Sequence, residues 1–314
     1  MAPMDFVILI TAVAGLWLGT ELTLGGALAI ARRHQLSEFF VGLVILSIGS
    51  DLPELAVAVD AGLKGLMGHD ASGVVVGASI GSVVAQIGFV LGLGGVISFL
   101  TLPRAFVLKH GAVLLGVTIM LFLLAFDGQV TRTEGLILIT IYVVYVIAIM
   151  NGENVPEEEP EQLAGGGWKS WLLLLAGLGI VIFSSEMTVT SVVNIAHTFD
   201  ISEALISVLI IGLGTSLPEL SISISAIMKK KTHMSVGNII GSNILDTLLP
   251  IGIAAVISGV TFERQLLFFD LPFIFVMTTV VLAFFYTRRG VTKPEGMIIL
   301  GFYSTYVIVK LLQF

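Results

Sequence analysis

The sequence predicts an all-α polytopic membrane protein, with ten transmembrane helices arranged as two inverted five-helix repeats. Three observations predict it. The 314 residues are 56% hydrophobic and 12% charged, with a mean hydropathy of +1.04, far from the composition of a soluble domain. Apolar stretches follow one another at about the 20 residues that a bilayer core requires. The sequence also repeats itself on either side of an acidic loop.

The apolar stretches are 4–30, 38–63, 72–98, 109–126, 133–150, 170–195, 202–228, 232–258, 267–286 and 294–312. The first has no basic residue before its apolar run and no short cleavable core, so it reads as a retained span. The chain divides into a first repeat (1–150), a linker (151–169) and a second repeat (170–314). The linker holds Glu153, Glu157, Glu158, Glu159 and Glu161 among two prolines and three consecutive glycines, the composition of a solvated tether. It supplies much of the net charge of −7. The absence of cysteine excludes disulfides, thiolate metal sites and a cysteine nucleophile.

Orientation follows from where Lys and Arg sit near span ends. Eleven of the fifteen, including Arg32, Arg33 and the run Lys229–Lys231, fall in the loops after spans 1, 3, 5, 7 and 9; only Lys64, Arg132, Arg264 and Lys310 fall opposite. Both termini are therefore expected outside a cell membrane. The Lys229–Lys231 run is explained as a topology anchor, with no call for a nucleic acid.

The repeat is explicit. Thr20-Glu21-Leu22 aligns with Ser185-Glu186-Met187 and Gly49-Ser50-Asp51-Leu52-Pro53-Glu54 with Gly214-Thr215-Ser216-Leu217-Pro218-Glu219, at an offset of 165. Gly77–Ser82 aligns with Gly237–Ser242 at an offset of 160, after five extra loop residues near Gly68–Ser72. Val130-Thr131-Arg132-Thr133-Glu134-Gly135 matches Val291-Thr292-Lys293-Pro294-Glu295-Gly296, with Tyr142 and Tyr145 over Tyr303 and Tyr306. Five spans is an odd number, so the second half must enter the membrane from the opposite side. Inverted halves around a midplane site are a transporter arrangement.

Pro53 and Pro218 lack an amide donor, and Gly49 and Gly214 relax the backbone, so spans 2 and 7 should break just before Glu54 and Glu219. Freed carbonyls beside a carboxylate are hard oxygen ligands of the kind Na⁺ and Ca²⁺ accept. A carboxylate near the bilayer centre costs about 2.5–3.5 kcal/mol on insertion scales, so two at matching positions point to function. In spans 3 and 8, Ser82 with Gln86 and Ser242 with Asp246 share a helical face at i and i+4, while Gly77, Gly81, Gly237 and Gly241 permit close helix approach. Asp246 is an expected ligand or proton carrier. Asp51 either joins the site or caps the half-helix that follows it. Asp60 and Lys64 read as a solvated ion pair at i and i+4. Glu21 and Glu186 read as interfacial, and none of the five histidines falls at the middle of a span, which speaks against an imidazole site.

With GSDLPEL…GASIGSVVAQ and GTSLPEL…GNIIGSNILD as its two motifs, the sequence resembles the cation/calcium antiporter superfamily, in particular its sodium/calcium exchanger branch. The resemblance runs end to end and is closest in the second repeat. It implies a core of spans 2, 3, 7 and 8, across which spans 1 and 6 slide. Carried over by residue, it implies paired glutamates at Glu54 and Glu219, hydroxyl and carbonyl ligands at Ser50, Thr215, Ser216, Ser82 and Ser242, and a mid-site acid at Asp246. The first repeat departs from the family pattern: Asp51 stands where a small residue is usual, Val83 replaces an asparagine, and Gln86 takes the usual Asn or Asp position.

The expected function is secondary active exchange of Ca²⁺ against Na⁺, by a chain that works as a monomer in lipid, with no cofactor and no enzymatic activity. Four carboxylates gather more negative charge than one Ca²⁺ offsets, so a proton on Asp51 or Asp246 in at least one state is expected. Coupling to H⁺, or carriage of Mg²⁺, Mn²⁺ or K⁺, is the alternative within transporters, and a cation channel the alternative outside them. The hydrolase motif H-E-x-x-H is missing, and the polar cluster of spans 2, 3, 7 and 8 offers no serine–histidine couple to act as nucleophile and base.

Overall fold

The computed structural model describes residues 2–152, 167–198, 214 and 216–313. The stretch 202–213 of the seventh expected span, Thr215 and most of the acidic linker lie outside the described residues.

The helices are α1 (Ala2–His34), α2 (Glu38–Ser50), α3 (Leu52–Leu66), α4 (Ser72–Ile97), α5 (Arg104–Leu124), α6 (Arg132–Gly152), α7 (Trp168–Thr198), α8 (Leu217–Met228), α9 (Thr232–Ser258), α10 (Leu266–Arg288) and α11 (Lys293–Gln313). Among the described residues eight helices are long and apolar enough to cross a membrane; α2 and α3 together, bent by 44°, make a ninth. Helix α8 is short and apolar.

Local chemistry sets several boundaries. Ser37 caps α2 by accepting from the Phe40 amide at 3.0 Å. At the start of α6, Glu134 Oε2 accepts from the Thr131 amide at 2.8 Å while Thr131 Oγ1 accepts from the Glu134 amide at 3.4 Å, a reciprocal capping box. Glu295 repeats half of it on the Thr292 amide at 3.0 Å, ahead of α11. The matching V-T-x-x-E-G segments are thus helix starts. Helix α5 begins five residues before its expected first residue, Lys109, because Pro103 can precede a helix without surrendering a helical hydrogen bond.

Helices α4 and α9 are the most enclosed elements, and α9 packs against α2, α3, α4, α5, α6 and α8. Its approach to α2 is backbone against backbone: a Cβ on Gly237 would strike the Phe39 carbonyl, and one on Gly241 the Leu43 carbonyl. Gly77, expected to serve similarly, has no such neighbour among the described residues. Helices α1 and α7 pack along each other as a separate pair, with Gly15 on Ser184, Gly19 on Val181 and Gly177 on Thr23. The residue numbers run in opposite directions, so this pair is antiparallel.

Two short antiparallel ribbons join the halves. Strand β1 (Leu100–Thr101) pairs with β4 (Gly290–Val291) in the register Leu100↔Val291, and β2 (Gln129–Val130) pairs with β3 (Val260–Thr261) in the register Val130↔Val260. Gly128 at φ 89° and Gly259 at φ 80° turn the chain into β2 and β3, a conformation that glycine adopts without steric cost.

Candidate cation-binding site

Each half presents a glutamate through the same break. Helix α2 ends at Ser50, Asp51 has φ −84° and ψ 6°, and α3 starts at Leu52 with Pro53 in its first turn. Ser216 has φ −90° and ψ 7°, and α8 starts at Leu217 with Pro218 in the same place. Proline is tolerated there because first-turn amides have no helical partner. Glu54 and Glu219 consequently occupy the first turn of a fresh helix, where the positive end of the helix dipole favours a carboxylate.

Glu54 is 4% exposed, and Asp51, Glu219 and Asp246 are fully buried. These four carboxyls, two from each half, lie within electrostatic range of one another. Asp51 sits at the N-cap of α3 but caps no amide. Its Oδ1 accepts instead from Ser242 Oγ of α9 at 2.9 Å, with Ser50 Oγ at 3.2 Å. The capping alternative therefore gives way to a place in the cluster. Gln86 Nε2 donates to Ser82 Oγ at 2.9 Å and to Asp246 Oδ2 at 3.1 Å, and Ser82 Oγ lies 3.1 Å from Ser216 Oγ. Nine of the ten residues expected from sequence thus converge; the tenth, Thr215, lies outside the described residues.

Among the described residues, both oxygens of Glu54, both of Glu219, Asp51 Oδ2, Asp246 Oδ1 and Gln86 Oε1 are buried without a hydrogen-bond partner. Unpaired buried carboxylate oxygens are strongly unfavourable unless a positive charge meets them. The donor set is all oxygen, which suits Na⁺ and Ca²⁺ and not a soft metal. Among the described residues no three acidic or imidazole side chains clamp one ion by themselves, so hydroxyl and main-chain oxygens must complete any shell.

Other polar residues were not singled out from sequence. Ser79, one turn before Ser82, has a buried hydroxyl without a partner among the described residues, and with Asp246 it lines a cavity of about 10 Å³. Tyr142 of α6, half of the repeated tyrosine match, lies within electrostatic range of Asp51 and Asp246. A wider cavity of about 320 Å³ lies beside the far end of α3, lined by Gly65, Asp70, Thr131 and Thr261 among others. His110, expected at the edge of a span, is fully buried two turns inside α5, with Nδ1 2.7 Å from Tyr145 Oη.

The family model described as sodium/calcium exchanger protein matches residues 4–151 and 169–312. The chain belongs to the sodium/calcium exchanger family. Membership makes it a membrane transporter of the exchanger type. Its similarity to individual exchanger-family proteins is spread over the whole length. It is 29% identical over 294 residues to the putative antiporter CaxA of Alkalimonas amylolytica, covering 90% of each chain. It is 24% identical to the sodium/calcium exchanger MaX1 of Methanosarcina acetivorans, over 98% of this chain and 99% of that one. Its structure superposes on that of the sodium-calcium exchanger NCX_Mj soaked with Na⁺ and Sr²⁺ with a TM-score of 0.83 and 26% identity, over 98% of this chain and 99% of the other.

Proposed function

We propose that the chain exchanges Ca²⁺ against Na⁺ by alternating access, at a site formed by Glu54, Glu219, Asp246 and Asp51 with Ser50, Thr215, Ser216, Ser82, Ser242 and Gln86. The reading rests on one observation above all. Carboxyls of Glu54, Asp51, Glu219 and Asp246, two from each half, are buried together with more oxygens than the hydroxyl and amide donors around them satisfy among the described residues. A cation entering this cluster relieves the desolvation penalty of its neighbours.

Exchange follows from the same electrostatics. Sliding α1 and α7 across the cluster while it holds no cation would seal uncompensated charge into a low-dielectric interior, whereas a loaded cluster is close to neutral. Only loaded forms then cross readily, so efflux of one ion requires entry of another. Two inverted five-span halves give the symmetry that alternating access needs. The breaks at Asp51 and Ser216 and the two ribbons, each joining a strand of one half to a strand of the other, support that arrangement. The distribution of Lys and Arg supports termini outside, and the self-contained site supports a monomer.

Proton-coupled exchange is the second reading, favoured by the fourth carboxyl, Asp51, with its two hydroxyl neighbours.

Calcium flux into proteoliposomes, with sodium and pH gradients imposed separately, tests both readings. Flux driven by the sodium gradient and lost in Glu54→Gln and Glu219→Gln is expected. Flux driven by the pH gradient alone would replace Na⁺ with H⁺ as the coupling ion. A unitary conductance, or undiminished flux in both glutamine variants, would overturn the exchanger site.

A further inference from the structure

The paired helices α1 and α7 contact the core unequally. On one face α1 packs along α8. There Ser225 Oγ donates to Thr20 Oγ1 at 3.1 Å, and Lys229 Nζ meets Glu21 Oε2 at 2.6 Å. The offset of 165 maps these four residues onto Ser185, Glu186, Asp60 and Lys64. None of the equivalent contacts is made. Ser185 Oγ is buried without a partner among the described residues, and Glu186 is exposed and forms no ion pair with a described residue. Lys64 instead holds Asp60, its own helix neighbour, at 2.7 Å.

Close packing of α1 on α7 makes the two move together, so approach of α1 to α8 and of α7 to α3 are alternatives. We infer that Thr20–Ser225 with Glu21–Lys229, and Ser185–Asp60 with Glu186–Lys64, are two mutually exclusive latches that close the ion path on opposite faces, and that Asp60 biases the choice between them. The inference rests on the alternating-access reading. Asp60 is what differs between the faces: its equivalent is Ser225, which cannot hold Lys229. Lys64 therefore has a standing partner when its latch is open, and Lys229 has none. The second latch must displace an existing ion pair to form, which favours the arrangement seen, with the Thr20–Ser225 and Glu21–Lys229 contacts made and their equivalents not.

The chain contains no cysteine, so introduced cysteine pairs report on conformation without background. Thr20→Cys/Ser225→Cys should form a disulfide rapidly, and Ser185→Cys/Asp60→Cys, which itself removes the Asp60–Lys64 pair, should also close. Each bond should stop calcium flux, with recovery on reduction. Half-exposed ion pairs bias an equilibrium modestly, so Glu21→Gln or Asp60→Ser added to the first pair should slow its closure about two- to five-fold, and Glu186→Gln should speed it. An unchanged rate in Asp60→Ser would overturn the inference. So would a second pair that never closes in protein whose flux, when reduced, is intact. Absence of flux in the reduced wild type would strike the exchanger reading instead, while the closure rates would still report on the latches.

Discussion

Gln86 and Asp246 occupy equivalent places in the two halves, and Nε2 of the first donates to Oδ2 of the second across 3.1 Å. The internal symmetry thus meets itself at the site, and one amide holds the only acid that α9 contributes to it. Removing that donor leaves a buried acceptor unsatisfied, worth about 1–3 kcal/mol, so Gln86→Leu should lower the thermal midpoint in the absence of Ca²⁺. It also removes Gln86 Oε1, a buried oxygen without a partner among the described residues, and Ca²⁺ affinity by isothermal titration should fall with it. Wild-type affinity would separate Gln86 from ion binding.

Asp51→Asn keeps an oxygen for the Ser242 hydroxyl to reach and removes one negative charge. Coulomb attraction to Ca²⁺ is twice that to Na⁺ at the same distance, so Ca²⁺ affinity should fall by a larger factor than Na⁺ affinity in paired titrations. Equal losses would mean that Asp51 shapes the site without facing the ion.

The parts of this site legible in sequence were those set by covalent chemistry. A proline in place fixes where a helix breaks, a one-residue register fixes which faces Ser82 and Gln86 share, and a repeat fixes equivalence. What depended on the third dimension was not legible. Nothing in the letters told whether Asp51 would cap α3 or turn to Ser242, since both lie within reach of a short side chain. Helix α4 is π-helical over Ala85–Val90, which carries Gln86, and α2 over Val41–Leu46, ahead of Ser50; no residue pattern marks a widened turn. Strands of two residues are too short to show alternation. Asp270 passed unnoticed because its partners stand 36 and 40 residues later.

Gly241 touches α2 so closely that an added methyl meets the Leu43 carbonyl and lies 2.8 Å from Ser47 Oγ. Backbone cannot give way as a side-chain tip can, so Gly241→Ala should cost about 1–3 kcal/mol in stability. It should also weaken Ca²⁺ binding, because the adjacent Ser242 shifts with it. Thermal unfolding with and without Ca²⁺ measures both, and an unchanged midpoint would contradict the packing described.

Asp70 ties the start of α4 to β3: Oδ1 accepts from the Ser72 amide at 2.9 Å and Oδ2 from Thr261 Oγ1 at 3.1 Å. The Ser72 hydroxyl and amide, then Thr261, hold its carboxyl below the ordinary value of 3.8. A depressed pKa adds stability above the unfolded value and loses it as pH falls through the folded one. Asp70→Ala should therefore lower the thermal midpoint at pH 7, and the gap to wild type should close as pH drops below 3.8. A gap that persisted there would assign the effect to packing.

Asp270, fully buried in the π-helical first turn of α10, accepts from Tyr306 Oη at 2.6 Å and Lys310 Nζ at 2.8 Å, both on α11. Lys310 is itself only 12% exposed and lies over the rings of Phe269 and Tyr306 at 5.9 and 5.8 Å. The equivalent position in the first half is His110, bound to Tyr145, so the same place joins two outer helices by a histidine–tyrosine hydrogen bond in one half and by a lysine–aspartate ion pair in the other. Breaking a buried pair by removing one partner costs about 3–5 kcal/mol, because the survivor keeps an uncompensated charge, whereas removing both charges is far milder. Lys310→Met and Asp270→Asn should each lower the thermal midpoint markedly, and the double variant should recover most of the loss. Calcium flux by the double variant should match wild type, since neither residue belongs to the cluster around Glu54 and Glu219. Additive losses in the double variant would show that the ion pair is not what joins α10 to α11, and lost flux with stability restored would bring these outer helices into the transport step.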